Sequence, residues 1–336
     1  MFVAGEAGNL AFRPAAGEMT SPEDLWAYLQ PDQVRVISPG ASEPLSISAL
    51  QQAIGRLDEP QLLYAADVGS GVVRLRENVS LEADSAVAFI LDGAIVASGT
   101  GGIRLQGPVT VAADSRLTTT GAIILGNMAT SGRSATVELA SGAGGAQLLG
   151  SVNLGVGDLV LASQGAVNVA GAIKARGLAL LGENVDYQLL HPDNAVAVLA
   201  GNAGSIRYQQ AGSLTIGQVG ATAGLHGSDS VLVVLSGAGS GLTVAQGVSA
   251  QGTGYAIVLA TAGRFINQAG ASPFTTAANG YYLVFSADHA QRQLGEMASP
   301  GNLFGWTYDD TAVDRLGMSC FARPWLRSSG WKWSAG

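Results

Sequence analysis

From about residue 62 to residue 290 the chain alternates between apolar and polar positions in short bursts. An apolar-x-apolar triplet is followed by a Gly-containing corner and then by another triplet. Ile103-Arg104-Leu105, Val109-Thr110-Val111, Val137-Glu138-Leu139, Val152-Asn153-Leu154, Val167-Asn168-Val169, Ile206-Arg207-Tyr208, Leu214-Thr215-Ile216 and Leu242-Thr243-Val244 all fit this form. A period of two sends the flanking side chains to one face and the middle one to the other, so each triplet predicts a short β-strand. The corners at 98–102, 142–145, 201–204 and 237–241 are rich in Gly, the residue that reaches positive φ without steric cost. Antiparallel sandwiches show fewer and longer strands with turns every 8 to 12 residues or so. Strands this short predict a chain that coils and stacks on itself.

In such a coil the inward residues of successive turns form columns, and the backbone hydrogen bonds run between coils about 4.8 Å apart. At about 22 residues per coil, residues 62–290 predict about ten coils and a rod roughly 50 Å long. Val109, Val111, Ile124, Leu139, Leu161, Val169, Leu180, Val198, Ile216, Val233, Val244 and Val258 are expected in the columns, because each sits at a repeating strand position. Asn153, Asn168 and Asn184 are candidates for a stacked amide ladder. The Gly-Gly-x-Gly-x-Asp nonapeptide of calcium-binding rolls is absent.

Residues 1–61 carry a different pattern. Ser21-Pro22-Glu23-Asp24 is a helix start, with a capping oxygen, Pro at the first helical position and acids at the positive end of the dipole. A helix is predicted at 21–30, a strand at Val34–Ile37 and a second helix within 47–55. The organisation expected is a mixed N-terminal cap, or the end of a preceding domain, over 1–61. A parallel solenoid over 62–290 and a C-terminal cap with an irregular tail over 291–336 follow. The fold class expected is all-β.

Composition narrows the functional classes. Charged residues make up 12% of the chain and 47 residues are Gly, yet the aliphatic content is high enough to bury a core, which argues against disorder. A net charge of -8 and just two lysines, Lys174 and Lys332, argue against nucleic acid as a partner. The single cysteine, Cys320, excludes an intrachain disulfide and a Cys-based metal site. No apolar run reaches the eighteen or so residues of a membrane span. The N-terminus lacks a basic region followed by a continuous apolar one, so an export signal is expected upstream of this chain.

The stretches 102–107, 121–127, 150–162 and 166–171 resemble the degenerate coils of filamentous-haemagglutinin-like exoproteins, the adhesins exported by two-partner secretion. Asn279-Gly280-Tyr281-Tyr282-Leu283-Val284-Phe285-Ser286-Ala287-Asp288, with Leu294-Gly295 beyond it, is similar to a segment that recurs after the solenoid in that family. The resemblance spans about residues 62–310. It implies a right-handed parallel β-helix, a secreted or bacterial cell-surface location, adhesion, and an outer-membrane secretion partner. The family's N-terminal secretion domain, with its asparagine-proline motif, is not found here, and autotransporter passengers share the solenoid.

Candidate chemistry is sparse. An enzyme on this scaffold needs carboxylates or bases gathered on one face. Between residues 90 and 290 the acids stand singly, and Glu183 with Asp186 is the one close pair, read as a solvated loop. His191, His226 and His289 have no ligand spacing, and no serine sits in a nucleophile elbow. No catalytic, cofactor-binding or metal-ligating residue is therefore expected, and no cofactor. Leu117-Thr118-Thr119-Thr120 is read as an ordinary outward strand rather than an ice-binding array. The function expected is a non-catalytic adhesin or stalk presenting binding surface to a glycan or protein of a host or neighbouring cell. The rival is a carbohydrate-active β-helix enzyme, a polysaccharide lyase or glycosidase, which three or more acids or bases converging in one groove would favour.

A solenoid's last coil exposes strand edges and an open apolar column. Tyr281, Tyr282 and Phe285 are expected in the last strand, and Phe304, Trp306 and Tyr308 as a partial cap folding back near it. The tail, with Trp325, Trp331 and Trp333 among Arg323, Arg327 and Lys332, is read as a poorly ordered terminus or, alternatively, an interfacial segment.

Overall fold

The coil that begins at Ile103 shows how the triplets are used. Three strands, Ile103–Leu105, Val109–Val111 and Ser115–Thr119, form its three sides. Each pairs in parallel with its counterpart one coil on: Ile103 stands on Ile123, Leu105 on Leu125, Val109 on Met128 and Leu117 on Leu139. All eight of these side chains are sealed from solvent. The middle residues Arg104, Thr110 and Arg116 point outward, where Arg116 meets Glu138 at 3.1 Å. This computed structural model describes residues 88–297 except 289, and before them residues 2–4, 10–12, 35–37, 45–48, 66–69, 72–75, 80–83 and 85. Its strands stack as a parallel β-solenoid of about nine turns, a rod of about 43 Å at one strand spacing per turn.

Coil length is short at first and then grows. Along the first face the steps from Leu81 to Ile103, Ile123, Ala146 and Val167 are 22, 20, 23 and 21 residues. Corners this tight leave no room for side chains. A Cβ on Gly142 would lie 1.9 Å from the Thr120 carbonyl oxygen of the coil before.

Further on, the steps from Ile206 to Val231, Ile257 and Tyr282 are 25, 26 and 25 residues. The step just before them, from Tyr187 to Ile206, is 19 residues, and two tyrosines enter the interior in these two neighbouring coils. Tyr187 and Tyr208 are both fully buried; aliphatic side chains follow each of them in its column, up to Tyr282 at the end of the column of Tyr187. Burial raises the pKa of both phenols well above the ordinary value. Each hydroxyl finds an acceptor: Tyr187 reaches the carbonyls of Leu161 and Leu181, and Tyr208 the side-chain oxygen of Gln210. Buried Asn194 bridges the Ile173 amide to the carbonyls of Leu189 and Gln209, so the coils that carry the two tyrosines are stapled by a satisfied amide.

The same region departs from the three-strand plan in three ways. Strands Ile173–Gly182 and Ala195–Ala203 run straight through the corner between the second and third faces. An antiparallel hairpin, Gln218–Val219 with Thr222–Ala223, folds onto the outer side. Its Val219 covers Ala179 and Ala200 in a second small core, against which Val160 and Val198 also pack. Finally, the ladder of the first face ends at Val167–Val169, and a new one begins at Tyr187–Leu189.

The parallel all-β stack agrees with the pattern of triplets; several finer expectations do not hold. Ile124 and Val258 are buried as expected, but in the outward register rather than in the columns, Ile124 between Arg104 and Gln147. Val169 is half-buried against the core, and Val198 belongs to the second core under the hairpin. Asn153, Asn168 and Asn184 do not stack, since Asn153 is in register with Ala129 and Lys174, and Asn168 with Gln147. Thr119 is not outward but buried, its hydroxyl donating to the Gly101 carbonyl. The predicted helix at 21–30 lies outside the described residues, as do residues 49–55 of the second; Ile47 and Ser48 stand in a helical turn. Strand Arg35–Ile37 is present. It pairs in parallel with Ser80–Ala83, and Leu45–Ser46 pairs with Phe89–Leu91, so parts of segment 1–61 extend the stack.

Candidate binding cleft

The break in the first face leaves a seam. Val167–Val169 pairs with Ala146–Leu148 on one side, and Tyr187–Leu189 with Ile206–Gln210 on the other, but the two facing edges belong to separate sheets. Along the seam runs a cleft of about 570 Å³, within the range of small-ligand sites. Its polar lining is a row of exposed amides, Gln147, Asn168 and Gln188, with the carboxylate of Asp186 at one end. Strand alternation fixes the row: the neighbours Ala146, Leu148, Val167, Tyr187 and Leu189 are buried, so the residues between them must face out. The three side-chain amides have no hydrogen-bond partner among the described residues. Leu149, 48% exposed, and Ala170 add an apolar ledge.

Most of the described acids serve as hydrogen-bond acceptors or ion-pair partners. Asp92 accepts from both the amide and the hydroxyl of Ser48, at 3.1 and 2.5 Å. Asp114 accepts the Thr136 amide at 2.7 Å, Asp186 the Ser205 amide at 2.9 Å and Asp288 the Gln291 amide at 3.1 Å. The Ser205 hydroxyl in turn donates to Asp229 at 3.0 Å. Glu138 pairs with Arg116 and Asp158 with Arg176. These carboxylates satisfy backbone donors where one coil turns into the next, or pair with an arginine a coil away. Glu183, whose side chain is exposed, and Asp186 do not form a shared site: Glu183 contributes only its backbone carbonyl, to Ser228.

His226 is held at the foot of the hairpin. Its Nε2–H donates to the Ala223 carbonyl, so Nδ1 accepts the Ser249 hydroxyl at 2.8 Å. His191 accepts the Asp193 amide within its own turn, and His289 lies outside the described residues. Among the described residues no group of three or more His, Cys, Asp or Glu is placed to hold a metal ion. Two buried polar atoms lack partners, Oδ1 of Asp158 and Nε of Arg207, and nothing in the structure explains them.

At the C-terminal end, Tyr281, Tyr282 and Phe285 lie in the strand Gly280–Ser286, which pairs with Gly254–Thr261. Tyr282 packs against the core, its ring 4.9 Å from that of Phe274, while Tyr281 lies against Tyr255. Phe285 is half-exposed, and Phe304, Trp306 and Tyr308 lie outside the described residues. A shorter segment does the closing seen here. Gln293 bridges to Ile266, the Leu294 carbonyl accepts from Asn267, and Leu294 and Met297 pack on the end of the column.

No protein-family model, no curated protein and no solved structure matches the chain. Of the amide row, Asn168 alone stood out in the sequence, as a ladder candidate; Gln147 and Gln188 have the same middle position between buried neighbours but did not stand out, and the gap beside them is not visible in the sequence.

Proposed function

We propose that this chain is a non-catalytic solenoid, an adhesive or structural stalk that is secreted or carried on a bacterial cell surface, of the filamentous-haemagglutinin-like kind. The observation that carries the reading is the employment of the carboxylates: those of Asp92, Asp114 and Asp186 hold backbone amides or hydroxyls between segments of the rod, and that of Asp288 holds an amide within its own turn. A glycosidase needs two carboxyl groups flanking one bond, free to exchange protons. What the rod offers outward is instead long rows of amides, hydroxyls and short aliphatic side chains, suited to contact with a glycan or protein of another cell. An outer-membrane partner for export belongs to the same reading. The test is to immobilise the full chain and measure retention of cells in parallel with incubation on a panel of polysaccharides. Retention without release of new sugar ends is expected. Progressive cleavage of any polysaccharide would establish the lyase or glycosidase alternative.

A further inference from the structure

We propose that the cleft at the seam between Val167–Val169 and Tyr187–Leu189 binds a neutral saccharide chain. The proposal deepens the reading of the chain as a binding solenoid and rests on it. Three observations point to this ligand class.

The first is the donor and acceptor set. Gln147, Asn168 and Gln188 each present one carbonyl and one NH2, so each can accept from one hydroxyl and donate to the next. Adjacent hydroxyls on a sugar ring ask for that pairing. These amides have no hydrogen-bond partner among the described residues, so a ligand competes with water and not with those residues for them.

The second is charge. The one ionisable side chain lining the cleft is Asp186, and no lysine or arginine lines it. Arg207 stands in register beyond Gln188, one coil outside the lining, so within the cleft itself a phosphate, sulfate or carboxylate ligand would meet only the negative charge of Asp186. The remaining hydroxyl-rich class is uncharged.

The third is shape. The row of amides crosses three successive coils, about 10 Å along the axis at one strand spacing per step. Leu149 and Ala170 supply an apolar ledge beside it, matching a ligand with polar edges and C–H faces. An extended peptide is the less favoured occupant, because the cleft's polar lining is built mainly of side chains projecting outward between buried neighbours.

The experiment uses the full chain on an array of neutral linear oligosaccharides, sulfated and sialylated glycans, and random peptides. Retention on at least one neutral oligosaccharide is expected, weakened at least tenfold in the double variant Asn168→Ala with Gln188→Ala. It should be unchanged in Thr110→Ala, an outward residue of the second face, and all three proteins should melt alike. No neutral retention, retention confined to acidic glycans or to peptides, or equal loss in Thr110→Ala overturns the proposal. Cell adhesion that survives the double variant overturns the cleft and leaves the stalk reading standing. Polysaccharide cleavage by the parent chain overturns the stalk reading instead.

Discussion

The hydroxyl of Tyr208 donates a 2.7 Å hydrogen bond to the side-chain oxygen of Gln210, two residues along the same strand and equally sealed from water. That oxygen also accepts the Val196 amide, and Nε2 of Gln210 faces the carbonyls of Val196, Gly212 and Ser213. One side chain thus holds a corner of the widened section together. Gln210→Leu strands several buried groups, each costing ~1–3 kcal/mol, and should lower stability by more than about 3 kcal/mol. Tyr208→Phe leaves Gln210 its backbone partners and should cost about 1 kcal/mol. Urea denaturation measures both; the opposite ranking would show that Gln210 is not the keystone.

The interior phenols give the rod an alkaline limit. Burial raises the pKa of Tyr187 and Tyr208, whereas in the unfolded chain they ionise near pH 10. Their contribution to stability is therefore complete below about pH 10 and falls as pH climbs above it, because only the unfolded state releases the protons. Phenolate absorbance and β-sheet circular dichroism, followed together, should show these two tyrosines ionising as the fold is lost. Reversible ionisation of every tyrosine with the β signal intact would contradict their burial.

Two glycines should fail for different reasons. Gly142→Ala drives a Cβ into the backbone of the preceding coil, a contact no rotamer relieves. Gly239 has open space around it and a φ of +74°, so Gly239→Ala meets only left-handed strain, about 1 kcal/mol. Thermal melts should place Gly142→Ala well below Gly239→Ala. Equal melting temperatures would mean that the coils move apart easily.

The C-terminal end can be opened by design. Truncation after Ala290 removes Gln293, Leu294 and Met297, exposing Phe265 and Phe274 at the end of the column. Light scattering should find the truncated chain more associated than the parent. A truncated rod of parental size would assign the closing role elsewhere.

Much of the rod was legible because strand alternation is local: Ile103-Arg104-Leu105 and its relatives announce two inward side chains without reference to anything distant. The widening was not, because it depends on which residues share a layer. Tyr208 in Ile206-Arg207-Tyr208 keeps the triplet pattern, and only the register reveals that it stands on Leu189 and beneath Val233. Gly201-Asn202-Ala203-Gly204 likewise reads as a corner, yet the strand Ala195–Ala203 runs straight through most of it. The cleft is a missing ladder, and a sequence records the strands but not their failure to pair.

The seam also decides how the rod answers to force. Between most neighbouring coils three ladders share any load applied along the axis, whereas at Val167–Val169 the first face contributes none. Tension would concentrate on the two faces still bonded there, through the long strands Ile173–Gly182 and Ala195–Ala203. A rod stretched along its axis would gape there before it gaped at the three-ladder levels of the described coils, so if the cleft holds a ligand, its grip and the pull on the molecule would be mechanically linked.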